Sequence, residues 1–194
     1  AGQISDYGFE EVVIEYEGEV AELNRKPLTA AALAGLLRPS RGDVNMVSAP
    51  EVLNESGVKL AETKTDDSPV YDSLIRIKVL TKRTENDPEP GWRSLAGTLI
   101  AGQPRIVEVK GMALEGDFNS RGLYVNNLDK PGFIGSLGAL LGKEEINIAT
   151  FHLGRTDAGG EAIALIGIDS EPSTNLVKEL KALPHVRYAK VLNF

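Results

Sequence analysis

The chain has 194 residues, a formal net charge of −7, 42% apolar and 25% charged residues, the make-up of an ordinary soluble globular protein of one or two domains. Acidic and basic residues are interspersed, which argues against nucleic acid and against an anionic membrane surface, since either partner would select a basic stripe. The absence of cysteine excludes disulfides, thiolate zinc sites and cysteine nucleophiles and suits a reducing cytoplasm, and neither a bilayer-length apolar run nor a charged-then-apolar leader is present.

Val12, Ile14 and Tyr16 alternate with Val13, Glu15 and Glu17, the period of a half-buried strand. Pro27, an alanine-rich middle, Leu33, Leu36 and Leu37 on one face, and Pro39 beyond them predict a helix over 27–37. A short helix over 49–56 can close on Gly57, 58–65 alternates weakly as a strand, and 65–69 is a polar turn. The clearest strand is 71–81, with Ile75, Ile77 and Val79 on one side and Arg76 and Lys78 on the other. A loop at 86–91 follows, then a hairpin of strands 92–101 and 105–110 around Gly102-Gln103-Pro104. The short connections predict an α+β domain with an antiparallel sheet.

The polar stretch 116–120 marks a boundary, giving domains 1–117 and 118–194. Beyond it the pattern reads strand 123–127, helix 131–141, strand 147–155, strand 161–169, helix 173–183 and strand 187–192. Phe133, Ile134, Leu137, Leu140 and Leu141 form the apolar stripe of the first helix, and Leu176, Leu180 and Leu183 that of the second. This βαββαβ order is the ferredoxin-like arrangement. The fold class is therefore α+β throughout, an antiparallel-sheet domain followed by a ferredoxin-like one.

Much familiar chemistry is missing. There is no G-x-G-x-x-G dinucleotide fingerprint, no G-x-x-x-x-G-K-[ST] loop and no G-x-S-x-G elbow. His152 and His185, the two histidines, have no carboxylate at ligand spacing, so no metal site and no catalytic residue is assigned. Gly132, Gly135, Gly138 and Gly142 read as close-packing positions against a sheet or a partner chain.

One stretch does carry chemistry: Asn126-Asn127-Leu128-Asp129-Lys130-Pro131-Gly132-Phe133-Ile134, with Glu145-Ile146-Asn147-Ile148 downstream. Pro131 suits the first position of a helix, and Gly132 beside it leaves the helix start bare, with backbone N–H groups and the positive dipole end facing a carboxylate-sized ligand. Asp129 can answer an ammonium group, and the Asn147 carboxamide can both donate and accept. These are the parts needed to hold a free amino acid. The plainer alternative makes Asp129 a helix cap and Asn147 a strand breaker.

About the last 75 residues resemble the ACT domain, and the N-N-L-D-K-P-G-F-I sequence with E-I-N-I downstream looks like the serine-binding version found in D-3-phosphoglycerate dehydrogenases. The run from Tyr16 to Leu33, with Val44-Asn45-Met46-Val47-Ser48-Ala49-Pro50 and Gly97-Thr98-Leu99, is similar to the intervening domain of the long bacterial forms of that family. The resemblance covers nearly the whole chain. It implies a regulatory fragment without turnover of its own, lacking the upstream NAD-binding catalytic region, and with no cofactor in this part. The start at Ala1, without an initiator Met, is read the same way. It also implies L-serine bound by Asn127, Asp129 and Asn147 with backbone help at Gly132 and Phe133, for feedback control. Two ACT domains would self-associate side by side through the edge strand 146–154, Asn147 reaching the ligand from the neighbouring chain. Because some relatives bind a phosphate ligand in the intervening domain, Arg105, Lys110 and Arg121 form a candidate anion site. Arg76, Lys78, Lys82 and Arg83 are either part of such a site or simply a solvated strand face. Alternatives to the leading reading are a subunit of an iron–sulfur L-serine dehydratase and an oligomerisation module whose site has decayed.

Overall fold

The computed structural model describes residues 2–4, 8–68, 70–82, 91–118 and 121–193. Arg83, most of the expected 86–91 loop, and Asn119 and Ser120 of the expected boundary lie outside the described residues. The chain forms two units, 1–111 and 112–194.

In the first unit β1 (Phe9–Gly18) is followed by α1 (Arg25–Leu37), α2 (Ala49–Glu55) and β2 (Lys59–Thr65), then by β3 (Ser73–Thr81), β4 (Trp92–Ile100) and β5 (Gln103–Val109). The strand order is β2-β1-β3-β4-β5, and β6 (Met112–Gly116) opens the second unit. The pairs β1–β3, β3–β4 and β4–β5 are antiparallel, as the short connections require. The pair β1–β2 departs from that expectation and is parallel, because two helices intervene and carry the chain back to the starting end.

Val12, Ile14 and Tyr16 are fully buried and face Leu33, Leu36 and Leu37 of α1 and Leu53 of α2. Their partners across β3 are Val79, Ile77 and Ile75, so one face of both strands is apolar, as the alternation predicts. Thr29 on α1 donates at 2.6 Å to the Glu62 carboxylate on β2 and therefore accepts at 2.8 Å from the Tyr16 hydroxyl, tying α1, β1 and β2 together. Burial holds the Tyr16 phenol above its ordinary value of 10.0, which keeps its proton available for that link.

The hairpin between β4 and β5 turns at Ala101 and Gly102, both with positive φ (50° and 76°), rather than around Gly102-Gln103-Pro104. A two-residue turn of this hand matches the twist of the strands it joins. Gln103 and Pro104 are therefore strand residues, Pro104 sitting opposite Leu99 near the strand start, where a missing N–H is tolerated. The strand β6 is an element that the sequence reading did not give. Lys110 and Gly111 repeat the positive-φ pair (51° and 77°) before it.

The polar face of the first sheet is organised rather than merely wet. Glu15, Arg76, Ala96 and Glu108 occupy one row across β1, β3, β4 and β5. Ala96 is small enough for Arg76 to reach over it to Glu108, bonding both carboxylate oxygens at 3.1 Å. The same guanidinium bonds Glu15 at 3.1 Å and also pairs with Glu17, while Lys78 reaches Glu15 at 2.6 Å. Partial burial pushes the Glu15 carboxyl up, but the bonds from Lys78 and Arg76 outweigh it, so its pKa lies below the ordinary 4.5. Its contribution to stability is thus complete above pH 4.5 and is lost as pH falls through the lower folded value. Arg76, whose side chain is 20% exposed, lies between the surface and buried cases of ion pairing. Arg76→Met should cost about 1–2 kcal/mol at neutral pH and distinctly less at an acid pH below the lowered folded value of Glu15. Urea unfolding followed by the fluorescence of Trp92, the single tryptophan, which lies in this sheet, measures it. An equal cost at both pH values would mean that Arg76 contributes packing, not charge.

In the second unit β7 (Arg121–Leu128), α3 (Phe133–Lys143), β8 (Ile148–Arg155), β9 (Glu161–Ile168), α4 (Thr174–Ala182) and β10 (Val186–Asn193) give the expected βαββαβ order. The sheet order is β10-β7-β9-β8 with all neighbours antiparallel, so β8 is an edge strand. Leu137, Leu141, Leu176 and Leu180 of the two helices pack on Leu123, Val125, Ala164 and Ile166 of the central strands. Ser173 caps α4, its hydroxyl accepting the Leu176 N–H at 3.0 Å. Ile134 is not part of the α3 stripe; it is 57% exposed. Nor do Gly135, Gly138 and Gly142 pack on the sheet, since a Cβ at any of them would meet nothing within 4 Å. No described helix is long and apolar enough to cross a membrane.

Candidate functional site

The βαββαβ topology brings the C-terminal ends of β7 and β8 to the same end of the sheet, with the start of β9 between them. Asn127 on β7, Ala162 on β9 and Arg155 on β8 share one row and therefore one face, the face covered by the helices. There a cavity of about 530 Å³ opens, lined by Asn127, Asp129, Gly132 and Phe133 together with Leu153 and Arg155.

Each wall has a local cause. The chain leaves β7 at Leu128, and the Asp129 N–H donates to Gly160 at 2.8 Å, pinning Asp129 to the β8–β9 turn. The helix does not start at Pro131 as expected. Pro131 and Gly132 form the turn before it, and α3 begins at Phe133 with Gly132 as N-cap in a left-handed conformation (φ 96°) that a side chain would strain. No side chain caps α3, so its first N–H groups face the cavity. Asp129 is thus not the helix cap that the plainer alternative made it.

Asn127 is 1% exposed, and its amide nitrogen donates to the Leu128 carbonyl at 2.8 Å. That bond fixes the amide orientation, because the opposite one would set two oxygens against each other. The Asn127 Oδ1 is left buried on the cavity wall with no partner among the described residues. A buried acceptor without a donor is costly. The Asp129 carboxylate accepts from Arg155 at 2.8 Å and from the Gly159 N–H at 3.4 Å. These two bonds, Arg155 first, hold its carboxyl below the ordinary 3.8, so it stays ionised. The cavity therefore offers a buried acceptor, a carboxylate, a guanidinium and a bare helix start, a set complementary to a zwitterion.

Of the expected ligand residues, Asn127, Asp129, Gly132 and Phe133 meet in this cavity. Asn147 does not line it; exposed at the other end of β8, it donates to Asp169 at 2.8 Å. Arg155 and Leu153 were missed by the sequence reading, the signal being the period-two alternation of β8 read together with its place in the sheet order. The candidate anion residues divide between the units. Arg105 donates to the Pro104 carbonyl at 3.2 Å and Lys110 occupies the turn after β5, while Arg121, at the start of β7, lies 3.7 Å from Glu171. Arg76 and Lys78 already face glutamates. His152 lies 3.5 Å from Asp117, and His185 is an exposed turn residue. No cluster of three or more metal-ligating side chains exists among the described residues.

The ferredoxin-like unit with this cavity at the junction of its first strand and first helix is an ACT domain, and residues 123–185 match that family. Residues 1–110 match the family of the D-3-phosphoglycerate dehydrogenase intervening domain, and the chain belongs to it. Among curated relatives, D-3-phosphoglycerate dehydrogenase of Bacillus subtilis is 34% identical over 95% of this chain and 34% of its own length. The enzyme of the same name from Methanocaldococcus jannaschii is 29% identical over 98% of this chain and 35% of its length. That of Synechocystis is 30% identical over 97% and 33%. The chain thus spans about a third of the length of the relatives it matches.

Proposed function

We propose that this chain is the regulatory region of a D-3-phosphoglycerate dehydrogenase and binds L-serine for feedback control of serine biosynthesis. The observation that carries the reading is the orphaned Asn127 Oδ1, which shares one cavity with Asp129 and the uncapped start of α3. The ligand ammonium lies against Asn127 and Asp129, and its carboxylate against the N–H groups around Gly132 and Phe133. Two copies pair through their β8 edges. Such pairing about a two-fold axis is antiparallel, which sets Asn147 of a second copy beside the Arg155 end of the first, where it completes the site. The NAD-dependent oxidation belongs to the remainder of the whole protein, and this region carries no cofactor. Serine acts on that remainder by binding one arrangement of the domains better than another, since equal affinity would shift nothing.

Calorimetric titration of the chain with L-serine, D-serine, glycine and L-alanine tests the reading. Saturable binding of L-serine, tighter than that of L-alanine, is the expected result. A chain that binds none of them is an oligomerisation module with a decayed site.

A further inference from the structure

Arg155 enters neither the sequence reading nor the expected ligand set, yet it lines the same cavity. Its Nη1 bonds Asp129, and its side chain is 57% exposed. The rest of its fork of five donors has no other partner among the described residues. Asp129 and Arg155 together form a pair of opposite charges, with the orphaned Asn127 Oδ1 in the same row as Arg155. An amino-acid zwitterion is the mirror of that pair. Its ammonium can settle on Asp129 and Asn127 while its carboxylate lies along the open edge of the guanidinium, and the four charges then alternate in sign. A guanidinium can hold a carboxylate through two parallel bonds, adding to what the backbone N–H groups of the helix start supply.

We propose that Arg155 binds the carboxylate of the ligand and is the residue that restricts this cavity to zwitterions. The proposal rests on the amino-acid reading of the cavity. It adds a second demand, that the ligand carry an anion beside its amine. A cationic amine without a carboxylate would compete with Arg155 for Asp129; a zwitterion satisfies both. Lys143, in the last turn of α3 and 3.2 Å from Glu179, does not line the cavity and serves as the control cation.

Titration at about pH 6.5, where both amines are protonated, should compare L-serine with L-serinamide, which lacks the carboxylate. The parent chain is expected to prefer serine by at least about tenfold. Arg155→Gln should weaken serine by about tenfold or more while barely changing serinamide, so that the preference collapses. Arg155→Lys should restore part of it, and Lys143→Gln should leave it intact. The proposal is overturned if Arg155→Gln binds serine as tightly as the parent, or if it loses serine and serinamide equally; in the second case Arg155 merely positions Asp129. In both cases the amino-acid reading survives. A parent chain that binds neither compound removes that reading and this proposal with it.

Discussion

Replacing Asp129 by alanine is expected to weaken L-serine binding by about tenfold to hundredfold, the usual consequence of deleting one charge-assisted hydrogen bond. The ammonium loses its only counter-charge on the cavity wall and retains the neutral Asn127 Oδ1. Asp129 does not cap α3, since no side chain does, so the substitution should leave the thermal midpoint of the second unit essentially unchanged. Asp129→Asn keeps the shape and one acceptor and should fall between parent and alanine. Calorimetry alongside a melting curve separates affinity from stability. Unaltered serine binding by Asp129→Ala would remove Asp129 from the site.

The second large effect concerns self-association. β8 is eight residues long and sits at the sheet edge; it holds no proline, and its one charged residue, Arg155, is at its end. Such an edge is a template for another strand. By contrast β2, the outer strand of the first sheet, carries Lys59, Glu62 and Lys64, the charges by which edges are ordinarily blunted. Ile148→Pro removes a ladder donor and bends the edge, and is expected to turn a dimer at low micromolar concentration into monomer in sedimentation. Ile148→Lys keeps the N–H, places a charge at the seam, and should weaken the dimer in the same direction. If both variants remain folded and fully dimeric, the two copies meet elsewhere.

Most of the second unit was legible because its periods were clean. Leu137 and Leu141 mark a helix face, and Ser173 three residues before Leu176 marks a helix start. What failed was local. A proline before a glycine looked like a helix start, but the left-handed turn at Gly132 delays the helix to Phe133. Likewise Gly-Gln-Pro looked like a loop, although a two-residue turn at Ala101-Gly102 releases Gln103 and Pro104 into β5. β6 was missed even though Met112 and Leu114 alternate with Ala113 and Glu115, because five residues ending in glycine read equally well as a linker. Two features could not be read from any single segment. The row from Glu15 through Arg76 to Glu108 and the row from Asn127 through Ala162 to Arg155 each span three or more strands, and each has an alanine within it. Their existence depends on register, which sequence periodicity does not supply. The candidate ligand residues were found because they lie together in sequence around Asp129, and Arg155 was not because it arrives from another strand.

Arg155 is both the last residue of the edge strand and a wall of the cavity. If two copies pair through β8, whatever shifts the end of that strand also shifts the guanidinium, and occupancy of the cavity and pairing of the edge would draw on the same few atoms. Their free energies are then linked, and the linkage works in both directions by the same factor. A ligand that strengthens association tenfold must itself be held tenfold more tightly by the associated form, so its apparent affinity climbs as the protein becomes more concentrated. Protein abundance, and not only ligand supply, would set how sensitively this region responds.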